Sequence, residues 1–288
     1  MPIIRNSFLK SDSLSKINFL KSNSNKKITF KKKSRGSIYT EDPYYDKVAL
    51  LLDFENGLVD NSKYNHSITT FGDLAVSETD KKFGAKSLQL ETDNIGADTN
   101  KYLEIQNTNG AFNLGDQDFT IECWAKGSQD SYYSPFITFL NSSDAAIHRF
   151  GGRFSFPPPN GGDSIFTDIN NNGYSLNDIY IPGYNTNSWY HYAVVRGNGK
   201  LYFYINGVLQ TFSSDYPNNF NLNFLNINQP LQNIDKIWIN RAFTFTANYV
   251  NGYMDNIRIT VGHARYIYPN NFTPENFQKY QYIPPITV

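Results

Sequence analysis

One cysteine, eight arginines and seven glutamates are few for a chain of 288 residues. Each shortage closes off a class of protein. A lone Cys123 cannot form an internal disulfide, so no cystine framework holds this fold, and the thiol is expected to sit in the core as a small apolar group. No stretch approaches the ~18 apolar residues of a membrane-spanning helix. The first residues lack the apolar segment that secretion signals carry, so the chain is expected to stay where it is made or to leave by assembly or lysis. The four histidines (66, 148, 191 and 263) have no metal spacing such as H-E-x-x-H, and neither a G-x-S-x-G elbow nor a phosphate-binding loop occurs. His191, inside an apolar segment, reads as a packed or hydrogen-bonded histidine rather than a catalyst.

What the chain has instead is amide. It carries 36 Asn against 18 Lys and 8 Arg, with 26 basic and 26 acidic side chains in all. That neutral total is the sum of two unlike parts. Residues 1 to 36 hold ten Lys/Arg against Asp12 alone, a net of +9, and residues 37 to 288 hold 16 basic and 25 acidic groups, a net of −9. Opposite charge in two segments suggests two tasks.

The basic segment repeats every eleven residues, as NSFLKSDSLSK (6 to 16), INFLKSNSNKK (17 to 27) and ITFKKKSRGSI (28 to 38). Phe8, Phe19 and Phe30 share one phase, and Lys10, Lys21 and Lys32 follow two positions later. A unit with two or three apolar side chains cannot offset about 1 to 2 kcal/mol of ordering entropy per residue, so the arm needs an outside surface to become ordered. An eleven-residue period also fits an amphipathic helix, but the β-branched, Ser and Asn content favours short extended pieces. A transit peptide would be richer in Arg, and a nucleic-acid tail needs no aromatic at fixed intervals. An anchor that lays Phe8, Phe19 and Phe30 with Lys10, Lys21 and Lys32 across a partner accounts for charge and spacing together and is the favoured reading, with a plain solvated tail as the alternative. Residues 1–38 are therefore read as a basic repeat arm, 39–46 as a linker and 47–288 as a folded domain.

From Glu41 onward short alternating apolar segments are separated by Gly, Asn and Asp. Expected strands run over 49–55, 67–76, 87–91, 101–106, 119–126, 136–140, 153–156, 189–196, 201–206, 236–240 and 253–261. Leu50, Leu52 and Phe54 share a phase, as do Phe119, Ile121 and Cys123. Two hairpins are marked, one at Gly197 to Lys200 and one at Asn206-Gly207, where a type I′ turn is expected. This is an all-β pattern: a two-sheet antiparallel sandwich with an extended N-terminal arm.

Asp118-Phe119-Thr120-Ile121-Glu122-Cys123-Trp124, then Trp189 to Arg196 (WYHYAVVR), Leu201 to Leu209 (LYFYINGVL) and above all Gly252 to Thr260 (GYMDNIRIT), continuing to Phe272-Thr273-Pro274, carry a resemblance. They resemble the laminin-G-like branch of the concanavalin A-like jelly rolls, of the kind found in phage structural proteins and surface adhesins. The resemblance covers roughly residues 47 to 275 and leaves the arm aside. It implies a jelly roll without guaranteeing an activity, since the superfamily includes lectins, glycosidases and structural modules. Glycosidases of this kind place two carboxylates on one strand as E-x-D-x-x-E, and although Glu78 and Glu91 are each followed by Asp two residues on, neither has a Glu three residues further, so the pattern is absent. Glu104 and Glu122 read as solvent-facing strand residues instead.

The resemblance also implies a structural calcium ion held by an Asp on the last strand, here Asp255, with oxygens near the end of the first strand, from Asp53 to Gly57. Asp255 shares the phase of Ile257 and Ile259, and a carboxylate on the core side would need donors or a cation. Capping of Asp255 by backbone N–H groups is the alternative. Glycan contact would fall to the loop tyrosines Tyr132, Tyr133, Tyr180 and Tyr184, while the strand tyrosines Tyr190, Tyr192, Tyr202 and Tyr204 read as packing. Together these give a non-enzymatic phage virion structural protein, at the virion surface, anchored by its arm to capsid or tail proteins and displaying a lectin-like jelly roll as decoration or adhesin. Surface glycans are further candidate partners, nucleic acid is not favoured, and oligomerisation stays open. The alternative is a stand-alone, calcium-stabilised carbohydrate-binding lectin.

Overall fold

The computed structural model describes residues 42–72, 74–90, 101–127, 130–155, 164–169, 188–210, 212–213, 221–222, 225–226, 230–241, 252–266 and 270–275. The arm residues Phe8, Lys10, Phe19, Lys21, Phe30 and Lys32, and Tyr180 and Tyr184, lie outside them. The strands are β1 (Val48–Leu52), β2 (Ile68–Phe71), β3 (Ala75–Ser77), β4 (Ser87–Gln89), β5 (Tyr102–Gln106), β6 (Phe119–Gly127), β7 (Asp130–Leu140), β8 (Ala146–Ser155) and β9 (Ser164–Ile169). There follow β10 (Tyr190–Gly197), β11 (Lys200–Ile205), β12 (Val208–Leu209), β13 (Phe212–Ser213), β14 (Asn221–Leu222), β15 (Leu225–Asn226), β16 (Lys236–Ile239) and β17 (Gly252–Val261).

Two antiparallel sheets form the sandwich. The larger runs β12-β11-β10-β6-β17-β4-β3, with β1 also on β17 and β15 on β11, and the smaller runs β2-β5-β16-β7-β8-β9. Between them pack the alternate apolar residues that period 2 selects: Leu50, Leu52, Ile121, Cys123, Val194, Phe203 and Ile259 from one sheet, Leu103, Ile105, Ile137, Phe139, Ile237 and Ile239 from the other. Cys123 is fully buried there, as its sequence context implied.

The two marked hairpins form as two-residue turns. Gly197 pairs with Lys200 and Arg196 with Leu201, so Asn198 (φ 52°) and Gly199 (φ 73°) make the first turn without a bulge. Asn206 (φ 49°) and Gly207 (φ 75°) make the second, and positive φ at both central residues is the type I′ requirement. The expected strand over 67–76 is instead two strands, since Gly72 at φ 69° turns the chain between β2 and β3. A second difference is at 130–169, where β7 and β8 are longer than expected and β9 was not expected at all.

β17 changes partners along its length. Tyr253 and Met254 pair with β4, whereas Ile257 to Thr260 pair with β1, and the register against β6 slips between Asp255 and Arg258. Asn256 takes φ 46° at that slip. This β-bulge reverses the alternation, because one extra residue inverts which side chains face inward. Met254 and Ile257 both enter the core, and Asp255 lies on the outer face opposite Trp124. The core-side placement of Asp255 expected from its phase is thus corrected by one bulged residue.

The outer face of the larger sheet is closed too. The chain after β17 lies back over it: the Tyr266 and Phe272 rings stack at 3.5 Å, and both meet Tyr204. They complete a second apolar cluster with Ala193, Val195, Tyr202 and Tyr204. Residues 42 to 45, inside the segment read as a linker, also join the body: Tyr44 stacks on His263 with ring centres 3.7 Å apart, and the Tyr45 hydroxyl donates to the Asn61 carbonyl at 2.6 Å.

Candidate functional site

Beneath that cover lies Glu122, on β6. The residue is completely buried, which overturns its reading as a solvent-facing strand residue: the alternation was right, but the outer face is not solvent. Oε1 accepts from Arg258 Nε at 2.8 Å and pairs with Nη2 at 2.7 Å. Oε2 accepts from the Tyr266 hydroxyl at 2.6 Å and lies 3.1 Å from His191 Nε2. Burial works to raise the carboxyl, but the Arg258 guanidinium, helped by His191, holds it down at about 2. Asp42 extends the network, accepting from Arg258 Nη1 at 3.4 Å and from Arg265 Nη1 and Nη2 at 3.0 and 2.7 Å. A carboxylate with both oxygens committed and no water access cannot reach a substrate. The group therefore ties the C-terminal segment and residue 42 to the sheet. Glu104, on the other sheet, is bound to Lys236 at 3.0 Å and to the Trp238 indole N–H at 2.8 Å.

The expected metal residues are brought together in part. Asp255 Oδ2 accepts the Lys82 and Phe83 N–H groups, both at 3.0 Å, while buried Oδ1 lacks a partner among the described residues. Burial pushes this carboxyl up to about 7, against the pull of those N–H groups. Asp53 Oδ1 accepts from the Glu55 N–H at 3.2 Å and from Asn61 Nδ2 at 3.0 Å. Gly57, at φ 90°, only closes a turn on the Phe54 carbonyl at 3.1 Å. The orphaned Oδ1 fits one calcium ligand, since calcium favours carboxylate and carbonyl oxygens. Among the described residues no three His, Cys, Asp or Glu side chains form a metal set, so the remaining ligands would be backbone oxygens. The backbone capping weighed as the alternative is present on Oδ2. Nearby Glu55 accepts the Ala85 and Lys86 N–H groups, and Asp60 is committed to the Leu51, Ser62 and His66 N–H groups and to His66 Nδ1 at 2.7 Å.

Tyr132 and Tyr133 fall within strand β7 rather than in a loop. Tyr192 and Tyr204 pack, as expected: Tyr192 is 1% exposed in the main core, and Tyr204 is fully buried under the cover, whereas Tyr202, packed in the same outer cluster, also lines a pocket.

An open pocket of about 210 Å3 lies where three distant pieces meet. They are Asp118 at the entry to β6, the Gly197-Asn198 turn with Tyr202 of the same hairpin, and His263, Ala264 and Tyr266 of the covering segment. The turn is held to Asp118, whose Oδ1 accepts the Asn198 N–H at 3.0 Å, and the covering segment is held by the Gly262 N–H on the Asp118 carbonyl at 2.8 Å. Burial, then the nearby Arg265 charge, lowers the proton affinity of His263 and keeps its ring neutral at pH 7. The pocket thus has ring and methyl walls with a carboxylate, an amide and a neutral imidazole at its rim. No single motif marks it, because its residues are up to 148 positions apart.

No curated protein matches this chain. Among solved structures it is similar to botulinum neurotoxin type C, whose cell entry depends on interaction with two ganglioside molecules, at 19% identity and TM-score 0.51, covering 75% of this chain and 48% of that one. It is similar to the binding domain of botulinum neurotoxin DC in complex with rat synaptotagmin II at 17% identity and TM-score 0.51, with the same coverages of 75% and 48%. A third is domain 4 of a GH43 extracellular arabinanase from Geobacillus stearothermophilus in complex with arabinotriose, at 18% identity and TM-score 0.49, covering 76% of this chain and 94% of that one. The chain spans about half the length of the neurotoxin chains it matches, and the likeness is one of fold. A family model of the laminin G type, described as concanavalin A-like lectin/glucanases superfamily, matches residues 97–262, more than half of the sequence. The chain belongs to the concanavalin A-like lectin/glucanases superfamily.

Proposed function

We propose that this chain is a non-enzymatic carbohydrate-binding protein whose jelly roll is displayed on a larger assembly by its basic N-terminal arm. The observation that carries the binding reading is the pocket beside Asp118, where aromatic walls and polar rim groups converge. The sealed Glu122 network supports a non-catalytic role, because this strand glutamate is consumed by Arg258, His191 and Tyr266, and the strand glutamate of the other sheet, Glu104, is bound by Lys236 and Trp238. A ganglioside-dependent neurotoxin with the same fold is consistent with glycan recognition here. Calcium would be held by Asp255 Oδ1 and would act on stability.

The virion of a phage is the assembly we favour, with capsid or tail proteins as the arm's partners. That part rests on the eleven-residue beat of Phe8, Phe19 and Phe30 and on the +9 charge of the arm, which together suit repeated docking on an acidic surface. The test separates the two parts. Full-length protein is screened on a glycan array and assayed for release of reducing sugar, and a variant lacking residues 1–38 is compared on particles and on the array. Specific glycan binding without turnover, kept in the truncated protein while particle association is lost, is expected. Turnover of a polysaccharide would overturn the non-enzymatic reading, and retention of the truncated protein on particles would overturn the anchor.

A further inference from the structure

The same pocket carries a statement about which carbohydrate it takes, one that rests on the carbohydrate-binding reading. Its size comes first: about 210 Å3 is below the roughly 300 Å3 where pockets for drug-sized ligands begin, so it holds one ring rather than an oligosaccharide. The lining comes next. Tyr202 and Tyr266 supply aromatic surface and Ala264 a methyl group, against which the C–H face of a sugar ring can pack. Gly197 has no side chain to fill the space, and a Cβ there would already touch the Ala264 methyl at 3.6 Å.

The rim then sets polarity and charge. Asp118 uses Oδ1 on the Asn198 N–H, and its second oxygen, without a partner among the described residues, can accept from a hydroxyl group. The Asn198 side chain can donate and accept, and His263 offers a neutral ring nitrogen beside it. A carboxylate at the mouth of a small pocket, in a body with a net charge of −9, disfavours sugars that carry carboxylate or sulfate groups; of the cations near the rim, Arg265 is paired with Asp42 and Arg196 donates to the Gly115 carbonyl, while Lys47 opposes the effect.

We propose that the pocket formed by Asp118, Asn198, Tyr202, His263 and Tyr266 binds a single neutral pyranose residue at the end of a glycan. Asp118 accepts its hydroxyl protons and the tyrosine rings pack on its C–H face. Anionic sugars, including the sialic acid of gangliosides, are excluded from this site.

The experiment is saturation-transfer NMR on the full chain. The probes are the methyl glycosides of glucose, galactose, mannose and N-acetylglucosamine, with glucuronic acid and N-acetylneuraminic acid as anionic counterparts. Transfer to at least one neutral glycoside and to neither acid is expected. Asp118→Asn, which keeps an acceptor for the Asn198 N–H, and Ala264→Leu, which fills the pocket, are each expected to weaken that binding by about tenfold or more. Thermal midpoints report whether each variant is folded, and the two changes act on the site by independent means. Neutral-sugar binding that both folded variants retain would overturn the pocket assignment and leave the carbohydrate-binding reading standing. A preference for the acids, strengthened by Asp118→Asn, would overturn the assigned sugar class. Absence of any saccharide binding by the unaltered chain would overturn both readings.

Discussion

The Gly207 carbonyl accepts the Phe272 N–H at 2.9 Å, and a Cβ on Gly207 would lie 1.8 Å from the Phe272 carbonyl oxygen. The β11–β12 turn is therefore also the dock for the segment that closes the sheet and supplies Tyr266 to the pocket. Gly207→Ala adds the strain of positive φ to a backbone collision, and is expected to cost about 1 to 3 kcal/mol. Hydrogen exchange should show faster exchange at residues 270–275 with little change in β6 or β10, and glycan affinity should fall. Unaltered exchange at Phe272 would contradict this account.

Glu122 sets an acid limit to stability. Its folded-state carboxyl is held at about 2 against an ordinary 4.5, so it contributes stability that is full above pH 4.5 and lost as pH falls toward 2, on the order of 3 kcal/mol. Glu122→Gln leaves the buried Arg258 with Asp42 at 3.4 Å as its carboxylate partner among the described residues, and is expected to cost about 3 to 5 kcal/mol at pH 7. Urea unfolding measures both effects. The variant should also lose much of the fall between pH 4.5 and 2, and an unchanged acid limb would count against the network.

Asp255 acts in the opposite direction. Its carboxyl is raised to about 7 from an ordinary 3.8, so the native state keeps a proton that the unfolded chain releases, and stability falls as pH rises from about 4 to 7. In a chelator, Asp255→Asn is expected to be more stable than the unaltered chain at pH 8 by a few kcal/mol, on the order set by that shift. Millimolar calcium should raise the thermal midpoint of the unaltered chain at pH 8 and leave the variant unmoved. Equal midpoints with calcium and with chelator would remove the proposed ion.

Cys123 offers a probe of global opening. Burial first, then the Glu122 charge, pushes its thiol well above the usual range, and a protonated core thiol is inert. Reaction with a disulfide reagent in native buffer should proceed at the rate of unfolding and speed up in urea. Stoichiometric labelling of the native protein within minutes would contradict the packing around β6.

The residues that declare themselves in the sequence are those whose partners are local or periodic. Leu50 and Leu52, Phe119, Ile121 and Cys123, and the Asn206-Gly207 turn were all legible, since alternation and turn chemistry need no knowledge of distant chain. Glu122 was misread because alternation reports which face a side chain is on, and says nothing of what later covers that face; Tyr266 lies 144 residues downstream. Asp255 was misplaced by the single bulged residue Asn256, for which a polar residue between Asp255 and Ile257 is a weak signal. The extended β7 and β8 were hidden by their Ser, Gly and Pro content, which reads as loop, and the short β9 by the Gly-Gly-Asp and Asn-Asn-Asn runs on either side of it. The pocket had no sequence signal, being the meeting place of a strand entry, a hairpin turn and the covering segment.

A crystal structure of the full chain with the best-bound neutral methyl glycoside tests the central claim most directly. The account predicts one pyranose ring between Tyr202 and Tyr266, with a hydroxyl on Asp118 and the Glu122–Arg258 pair undisturbed beneath. A ring seated elsewhere on the jelly roll, with the Asp118 pocket holding only water, would contradict it.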